Sequence, residues 1–330
     1  MGDVLVSVCI SVYNGEGSLG QCLDSVIAQG VRSMEVVLVD DGSTDGSLRV
    51  MREYQGRCAE PAIKVVEQEH SGLAQARCTG VMNAAGDFVT FLDADDRLLE
   101  GAYEKVLRCA RHTMADIYEF QTVRDDYYAR SPYSGVMDAG RVLTDYFLGV
   151  GIPVNYWLRW FRRELLPGRV FPHDISLHED VYAFPCILHG AEKIAYIDEP
   201  LHVHTKGVGS IMGGYKALRG TRAYFEGQRI LLGSIPHIIS NIGPDVIERE
   251  YKVPFARYVS RICCAVVFAD AGDVTYEERL DAIASVLGWD MPRRQIERRI
   301  ERGLGGKGKL SKAIKLVGLR NAYRLYGMAR

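Results

Sequence analysis

Within the first hundred residues, apolar runs rich in β-branched residues alternate with helix-like stretches, and this alternation limits the fold more than any other feature. Val4–Val12 is continuously hydrophobic, as expected of a strand buried on both faces. Leu19, Leu23, Val26 and Ile27 then recur at the spacing of an amphipathic helix. Glu35–Val39 reads as a second strand and stops at DDGSTDGS, a cluster of turn and capping residues that opens another helix. Ile63–Val66 is a third strand, Gly72–Ala85 a small-residue helix, and Phe88–Leu92 a fourth strand ending at DADD. Alternation at this pitch predicts a doubly wound α/β sheet with right-handed crossovers. Ligands in such sheets bind beyond the carboxyl ends of the strands. The polar clusters Tyr13-Asn14, Asp40-Asp41 and Asp93–Asp96 all fall there.

From Gly101 the pattern loosens. A helix carrying Val106, Leu107 and Ala110 leads to the strand-like DIYEFQTV, then to a polar, Tyr-rich loop over residues 124–135. In NYWLRWFRRELL, Trp157 and Trp160 stand three apart, a helical core spacing. HEDVYAF and the strand-like EKIAYIDEPLHVH follow, with His202 and His204 alternating as strand residues do. Beyond Ser210 nearly everything reads as helix, and GLGGKGK, residues 303–309, reads as a hinge before a last helix. The expected organisation is one domain over 1–211, with halves 1–100 and 101–211, and a helical region over 212–330.

Composition narrows the classes. A chain of 330 residues, 47% hydrophobic and 25% charged, is ordered and globular. No apolar run reaches 18 residues, so no transmembrane helix is expected. MGDVLVSVCISVYN is acidic where a signal peptide is basic, so secretion is not expected either. The eight cysteines form no C-x-x-C pair and read as buried free thiols, Cys263-Cys264 as helix core. No G-x-G-x-x-G follows the first strand, which argues against a dinucleotide-dependent dehydrogenase. NGEGSLGQ lacks the Lys or Arg that the phosphate loop of a nucleotidyltransferase needs. Residues 293–330 carry 12 Lys or Arg against Glu297 and Glu301, while the whole chain is −2. A basic tail on an acidic body points to an anionic surface, membrane phosphates ahead of nucleic acid.

Asp93 and Asp95, two apart after a strand, can reach one cation, and hard divalent ions prefer oxygen ligands and bridge to phosphates. Around them the segments SVCISVYNGEGSLGQCLDSVIAQ, EVVLVDDGSTDGS and EQEHSGLAQARCTGVMNAAGDFVTFLDADD resemble the bacterial family-two glycosyltransferases. WLRWFRRELL, HEDVYAF and LHVHTKGVGSI resemble the acceptor-side half of the same domain, so the resemblance covers residues 4–211.

The resemblance implies a GT-A-type doubly wound mixed sheet flanked by helices, followed by the helical C-terminal region. It implies inverting transfer from a nucleoside-diphosphate donor, a UDP-sugar, to a hydroxyl of a glycan or lipid-linked acceptor in surface polysaccharide or cell-wall synthesis. Mn²⁺ or Mg²⁺ is the implied cofactor. Carried over residue by residue, Ser11 and Tyr13 border the nucleobase, with the Tyr13 ring packing on it. Asp40 accepts from a uracil-like edge, and Arg77 lies near the nucleotide and helps neutralise it. Asp93 faces the ribose and metal region, Asp95 is the principal metal ligand, and Asp96 orients the sugar or braces its loop. Asp180 is the catalytic base. Lys206 and Ser210 belong to a loop that closes on the diphosphate.

The residues themselves leave some alternatives open. Asp180 also suits a helix N-terminus on dipole grounds alone. His204 either completes the metal site or is merely hydrogen-bonded, and His173 and His178 line the acceptor cleft. Asp41 and Asp45 fix the turn after the second strand. Ser11 stands where many relatives have Pro, His70 replaces a frequent Asn, Cys78 replaces an Asn and Thr205 an Arg or aromatic. The expected setting is cytoplasmic, peripheral on the inner face of the cell membrane through residues 303–330, with no nucleic-acid partner. The rival reading is a catalytically silent nucleotide-sugar-binding or scaffold subunit.

Overall fold

The computed structural model describes residues 6–124, 127–129, 131–172, 175, 177–205, 211–304 and 319. It divides into two compact units, Met1–Val142 with Gly151–Val208, and Leu143–Val150 with Gly209–Arg330.

The first unit opens with β1 (Val6–Val12), α1 (Glu16–Ile27), β2 (Met34–Asp40), α2 (Ser47–Arg57), β3 (Ala62–Glu67), α3 (Leu73–Asn83) and β4 (Phe88–Phe91). It continues through β5 (Arg97–Leu98), α4 (Ala102–Thr113), β6 (Ile117–Arg124), β7 (Tyr127–Ala129), β8 (Gly135–Asp138) and the start of α5 (Ala139–Leu148). After it come β9 (Arg159–Arg162), α6 (Glu179–Gly190) and β10 (Lys193–His204). All ten strands join one sheet in the order β3-β2-β1-β4-β9-β6-β10-β5, with β7 on β6 and β8 on β10. β3, β2, β1 and β4 run parallel, whereas β9 is antiparallel to both β4 and β6. The sheet is therefore mixed: its larger parallel part comes from the N-terminal strands, and β6 and β10 form a second parallel pair.

Helices cover both faces of that parallel part. Val6, Val8, Ile10 and Val12 of β1 pack in one apolar cluster with Leu19 and Leu23 of α1, Met51 of α2, and Tyr103 and Leu107 of α4. On the opposite face α3 comes very close: a Cβ placed on Gly80 would sit 3.1 Å from Cys9 Cβ. That close approach explains why a helix of such low amphipathicity is built from Ala74, Ala76 and Gly80.

Two expectations change. Trp160 lies in a strand, with Trp157 in the single 3₁₀ turn Tyr156–Leu158 before it. Both are buried, so the packing role stands while the helical spacing does not. The polar stretch over 124–135 is also not simply a loop, because β7 returns along β6 and β8 starts at Gly135. Pro200 interrupts the register of β10 on β6, the irregularity at which a strand tolerates proline.

In the second unit the last turns of α5 lie with α7 (Ile211–Ala217), α8 (Arg222–Ile230), α9 (Ser234–Ile242), α10 (Pro244–Val246), α11 (Lys252–Val267), α12 (Tyr276–Leu287) and α13 (Arg293–Gly303). Residues 143–150 are continuous in sequence with the first unit. They belong here because Phe147 packs its ring on Tyr251, Phe255 and Tyr258. Cys263 and Cys264 are buried with Leu280, Ile283, Ile296 and Ile300. Arg279, 1% exposed, donates to the carbonyls of Val266, Val267, Ala269, Ala271 and Val274. One buried cation thus satisfies the carbonyls that the end of α11 leaves over. Among the described residues no single helix is long and apolar enough to cross a membrane.

Candidate functional site at the carboxyl ends of the parallel strands

The loops leaving β1 and β2 are laced together. Asn14 takes a left-handed conformation, φ 53°. Its Oδ1 accepts from the Thr44 amide at 2.8 Å, and its own N–H donates to Ser43 Oγ at 3.0 Å. Gly15 N–H donates to Ser47 Oγ at 2.8 Å and Glu16 N–H to Asp45 Oδ2 at 3.1 Å, so the first turn of α1 is capped from the β2 loop. Burial alone would raise Asp45, but its bonds from Ser47 and Glu16 outweigh it and hold the carboxyl below its ordinary range.

Asp41 is the second tie. Nearly buried, it accepts from Gln68 Nε2 at 2.7 Å, Ser71 N–H at 2.9 Å and Gly72 N–H at 3.0 Å, and lies 2.9 Å from His70 Nδ1. It therefore fixes the β3 loop to the β2 loop, the turn-fixing role that its position suggested. Asp40 beside it is 4% exposed and accepts from the Ser43 amide at 3.3 Å. Ser11, partly buried, is in register with Val39. Tyr13 is half exposed, its ring stacked on His70 at 4.1 Å. Gly42 joins these parts with φ +72°, and a Cβ there would meet His70 N at 2.9 Å. Gly42→Ala is therefore expected to destabilise the protein by about 1–3 kcal/mol, read as a lower denaturation midpoint.

The β4 end carries the carboxylates. Arg77, on α3 and 5% exposed, donates through Nη2 to Asp93 Oδ1 at 3.0 Å and through Nη1 to Glu179. Its guanidinium lies 5.0 Å from the Tyr156 ring centre, and Tyr156 O–H donates to the Glu179 carbonyl at 3.1 Å. Burial disfavours the charge on Arg77, but Glu179 and Asp93 outweigh it and hold the cation above its ordinary range. Arg77 is thus a clamp between the β4 loop and α6 rather than a free cation. Asp95 is pushed upward by burial and by the neighbouring Asp96 and Asp93. Asp96 is fully buried. His204 Nδ1 lies 3.1 Å from its carboxylate and His202 Nε2 lies 3.2 Å away, while the Thr205 amide donates at 2.8 Å. Burial would raise Asp96, but those contacts bring it below its ordinary range. Both imidazoles stack on Trp157, at 4.6 and 5.2 Å. The structure therefore places Asp96 and His204 together in a bracket that faces inward.

Asp180 is the second residue of α6, and its Oδ1 accepts from the Val181 amide at 2.9 Å. Burial, then the charge of Glu179, push it up to about 7, against the pull of Arg77. A carboxylate that changes protonation near neutrality is suited to moving protons. His178 caps this helix from a left-handed conformation, φ 63°. Lys206, Ser210 and His173 lie outside the described residues.

Glu179 is the member that sequence reasoning missed. An acidic pair at a helix start is explained by the dipole, and its partner Arg77 is 102 residues away. Among the described residues no three His, Cys, Asp or Glu side chains make a metal cage by themselves. Burial and the neighbouring Asp96 and Asp93 disfavour the anion at Asp95, so a hard divalent ion beside Asp95 and Asp93, with phosphate oxygens and water as its other ligands, is compatible with these two carboxylates.

Comparison with known proteins gives the family context. The family model "Glycosyl transferase family 2" matches residues 7–165. The chain is 28% identical over 217 residues to the uncharacterised glycosyltransferase EpsJ of Bacillus subtilis, covering 63% of this chain and 62% of that one. It is 30% identical over 224 residues to the glycosyltransferase GlyA of Streptococcus pneumoniae, covering 63% of this chain and 32% of that one. The match thus spans less than two thirds of either relative. Residues 1–349 of S. aureus TarS, in complex with UDP-GlcNAc, superpose with a TM-score of 0.70 at 20% identity, over 99% of this chain and 92% of that one. The mannosyltransferase PcManGT of Pyrobaculum calidifontis, in complex with GDP-Man and Mn²⁺, gives 0.55 at 16% identity over 98% and 86%. These structural likenesses establish the GT-A fold.

Proposed function

Because residues 7–165 belong to glycosyl transferase family 2, we propose that the chain is an inverting glycosyltransferase. It moves a sugar from a nucleoside-diphosphate donor to a hydroxyl of a glycan or lipid-linked acceptor in surface polysaccharide or cell-wall synthesis. The observation that carries this reading is the meeting of two chemistries at one sheet end. Asp93 and Asp95 follow β4, Asp180 opens α6, and Arg77 joins the two segments by pairing with Asp93 and Glu179, while the Asp180 carboxyl is pushed up to about 7, which supports a cation at the first and proton transfer at the second.

Each residue then has a task. Tyr13 offers a ring for the base beside Ser11, and Asp40 accepts from the uracil edge. Arg77 holds Asp93 and Glu179 in place, and Asp96 braces the β4 loop through His202 and His204. Asp180 accepts the proton of the acceptor hydroxyl as that oxygen attacks the anomeric carbon. Help of this kind is worth about 10²–10⁴-fold. One direct displacement inverts the anomeric centre, so an α-linked donor gives a β-linked product. A Mn²⁺ or Mg²⁺ would be held by Asp95 with Asp93 and would supply positive charge at the departing diphosphate, while His204 stays with Asp96. The UDP-GlcNAc complex of TarS supports a uridine donor.

The test is nucleoside-diphosphate release from a panel of UDP-, GDP- and dTDP-sugars with Mn²⁺. Slow release from one donor, lost in Asp95→Ala, is the expected result. No release from any donor, with or without candidate acceptors, favours the scaffold reading. The proposed setting is the cytoplasmic face of a membrane, reached through the basic tail. Deleting residues 303–330 is expected to abolish recovery with anionic vesicles, since the tail's Lys and Arg residues each contribute about 1 kcal/mol near such a surface. Co-sedimentation measures it.

A further inference from the structure

The sequence of α13, RRQIERRIERG, mixes charges, but the fold sorts them by face. Ile296 and Ile300 are buried in the apolar core of the second unit. Glu297 and Glu301 each follow one of them and stay half-buried beside that stripe. Glu297 accepts from Tyr276 O–H at 3.0 Å, and Glu301 from the Leu319 amide at 2.7 Å. Arg294, Arg298 and Arg302 stand two residues from an isoleucine, about 200° round the helix, and all three are exposed. They recur at every fourth position, which makes a row about 12 Å long. Two neighbouring cations are already engaged: Arg293 donates to Asp281 Oδ1 at 2.7 Å, and Arg299 lies 4.5 Å from the Trp289 ring centre. Among the described residues no carboxylate pairs with Arg294, Arg298 or Arg302; Arg302 gives one N–H to the Arg298 carbonyl at 3.3 Å.

We infer that this outward face of α13 is a docking surface for anionic lipid headgroups, with Arg294, Arg298 and Arg302 as its contact row. The inference rests on the membrane-face setting proposed above and extends it from residues 303–330 into α13. Like charges one turn apart repel. A phosphate laid between two of them relieves that repulsion and accepts hydrogen bonds from both guanidinium forks. The chain that follows carries the same sign, because residues 303–330 hold Lys and Arg but no Asp or Glu. Leu310, Ile314, Val317 and Leu325 are interleaved with those cations. Apolar side chains gain free energy at a lipid interface, whereas a nucleic-acid backbone offers them only phosphate and sugar. Nor does α13 contain an aromatic residue on which a base could stack. Lipid is therefore favoured over nucleic acid as the anion.

The experiment is a vesicle-binding titration of the full chain, with mixed phosphatidylglycerol and phosphatidylcholine vesicles and with phosphatidylcholine alone, at about 0.1 M salt. Wild type is compared with Arg294→Gln, Arg298→Gln and Arg302→Gln, singly and combined; glutamine keeps a good helix former at each exposed site. The control is the combined Arg49→Gln, Arg52→Gln and Arg57→Gln, which removes the same charge from α2, where each arginine already has a carboxylate partner. Thermal melts confirm folding. Each α13 substitution is expected to weaken binding to anionic vesicles about fivefold, and the three together about hundredfold. The α2 control is expected to stay within about threefold of wild type. A folded α13 triple variant that binds as wild type does, or an α2 control that loses as much, overturns the inference while leaving the tail's own contact intact. Tighter wild-type binding to duplex DNA than to anionic vesicles at the same salt overturns it in favour of nucleic acid. Wild type that ignores anionic vesicles removes the membrane setting and the inference together.

Discussion

Asp180→Asn is expected to lower turnover by about 10²–10⁴-fold while raising the melting temperature of the ligand-free protein. The two effects share one cause. Burial and Glu179 lift the Asp180 carboxyl from 3.8 to about 7, so the folded chain resists ionising it. In the unfolded chain the same group ionises near its ordinary value. The resulting penalty is absent below about pH 4, grows as pH rises to about 7, and is constant above that. The span from 3.8 to about 7 sets an upper limit of about 4 kcal/mol. Asparagine has nearly the same shape and no charge, so the variant gains most at pH 8 and little at pH 4. As a base, Asp180 must be ionised. Wild-type kcat/KM is therefore expected to fall about tenfold per pH unit below about 7. Melts and rate profiles across pH 4–9 measure both. A variant that keeps full turnover would leave Asp180 as a helix-start residue only.

Arg159→Leu is expected to destabilise the protein by about 3–5 kcal/mol, lowering the melting temperature by roughly 10 °C. Arg159 is fully buried and pairs with Glu119, 2% exposed. It also donates to the Asn155 carbonyl at 2.8 Å and the Pro153 carbonyl at 2.5 Å, and lies 4.1 Å from the Phe184 ring centre. Removing the cation strands a buried carboxylate and two carbonyls. Burial already raises Glu119, with Arg159 working against it. The loss is therefore larger at pH 8 than at pH 5, where the stranded carboxyl can take up a proton. Replacing both residues with leucine is expected to recover at least half of the loss, because an apolar pair leaves no buried charge. Chemical denaturation of the two single variants and the double variant checks this. Loss of less than 1 kcal/mol in Arg159→Leu would mean that water reaches the pair.

β1, β2 and β4 were legible because each is buried on both faces and ends in a turn cluster: Val36–Val39 is wholly buried up to Asp40-Asp41. The small residues of α3 signalled a helix, and Gly80 against Cys9 shows why they are small. The strand at Trp160 was not legible, since β9 is four residues long and follows a 3₁₀ turn, too short for alternation to show. β7 hid in a polar stretch because it pairs only with β6. In the site, residues whose loops follow strands could be nominated from sequence. Their partnerships could not. Arg77 meets Glu179 across 102 positions and Asp96 meets His204 across 108, distances over which no local pattern carries information.

The measurement closest to the central claim is UDP binding to wild type and to Asp95→Ala, each with and without Mn²⁺. The account predicts tight wild-type binding only with Mn²⁺, and equally weak binding by Asp95→Ala in either condition. Equal affinity in all four titrations would contradict a donor site bridged by a cation at Asp95.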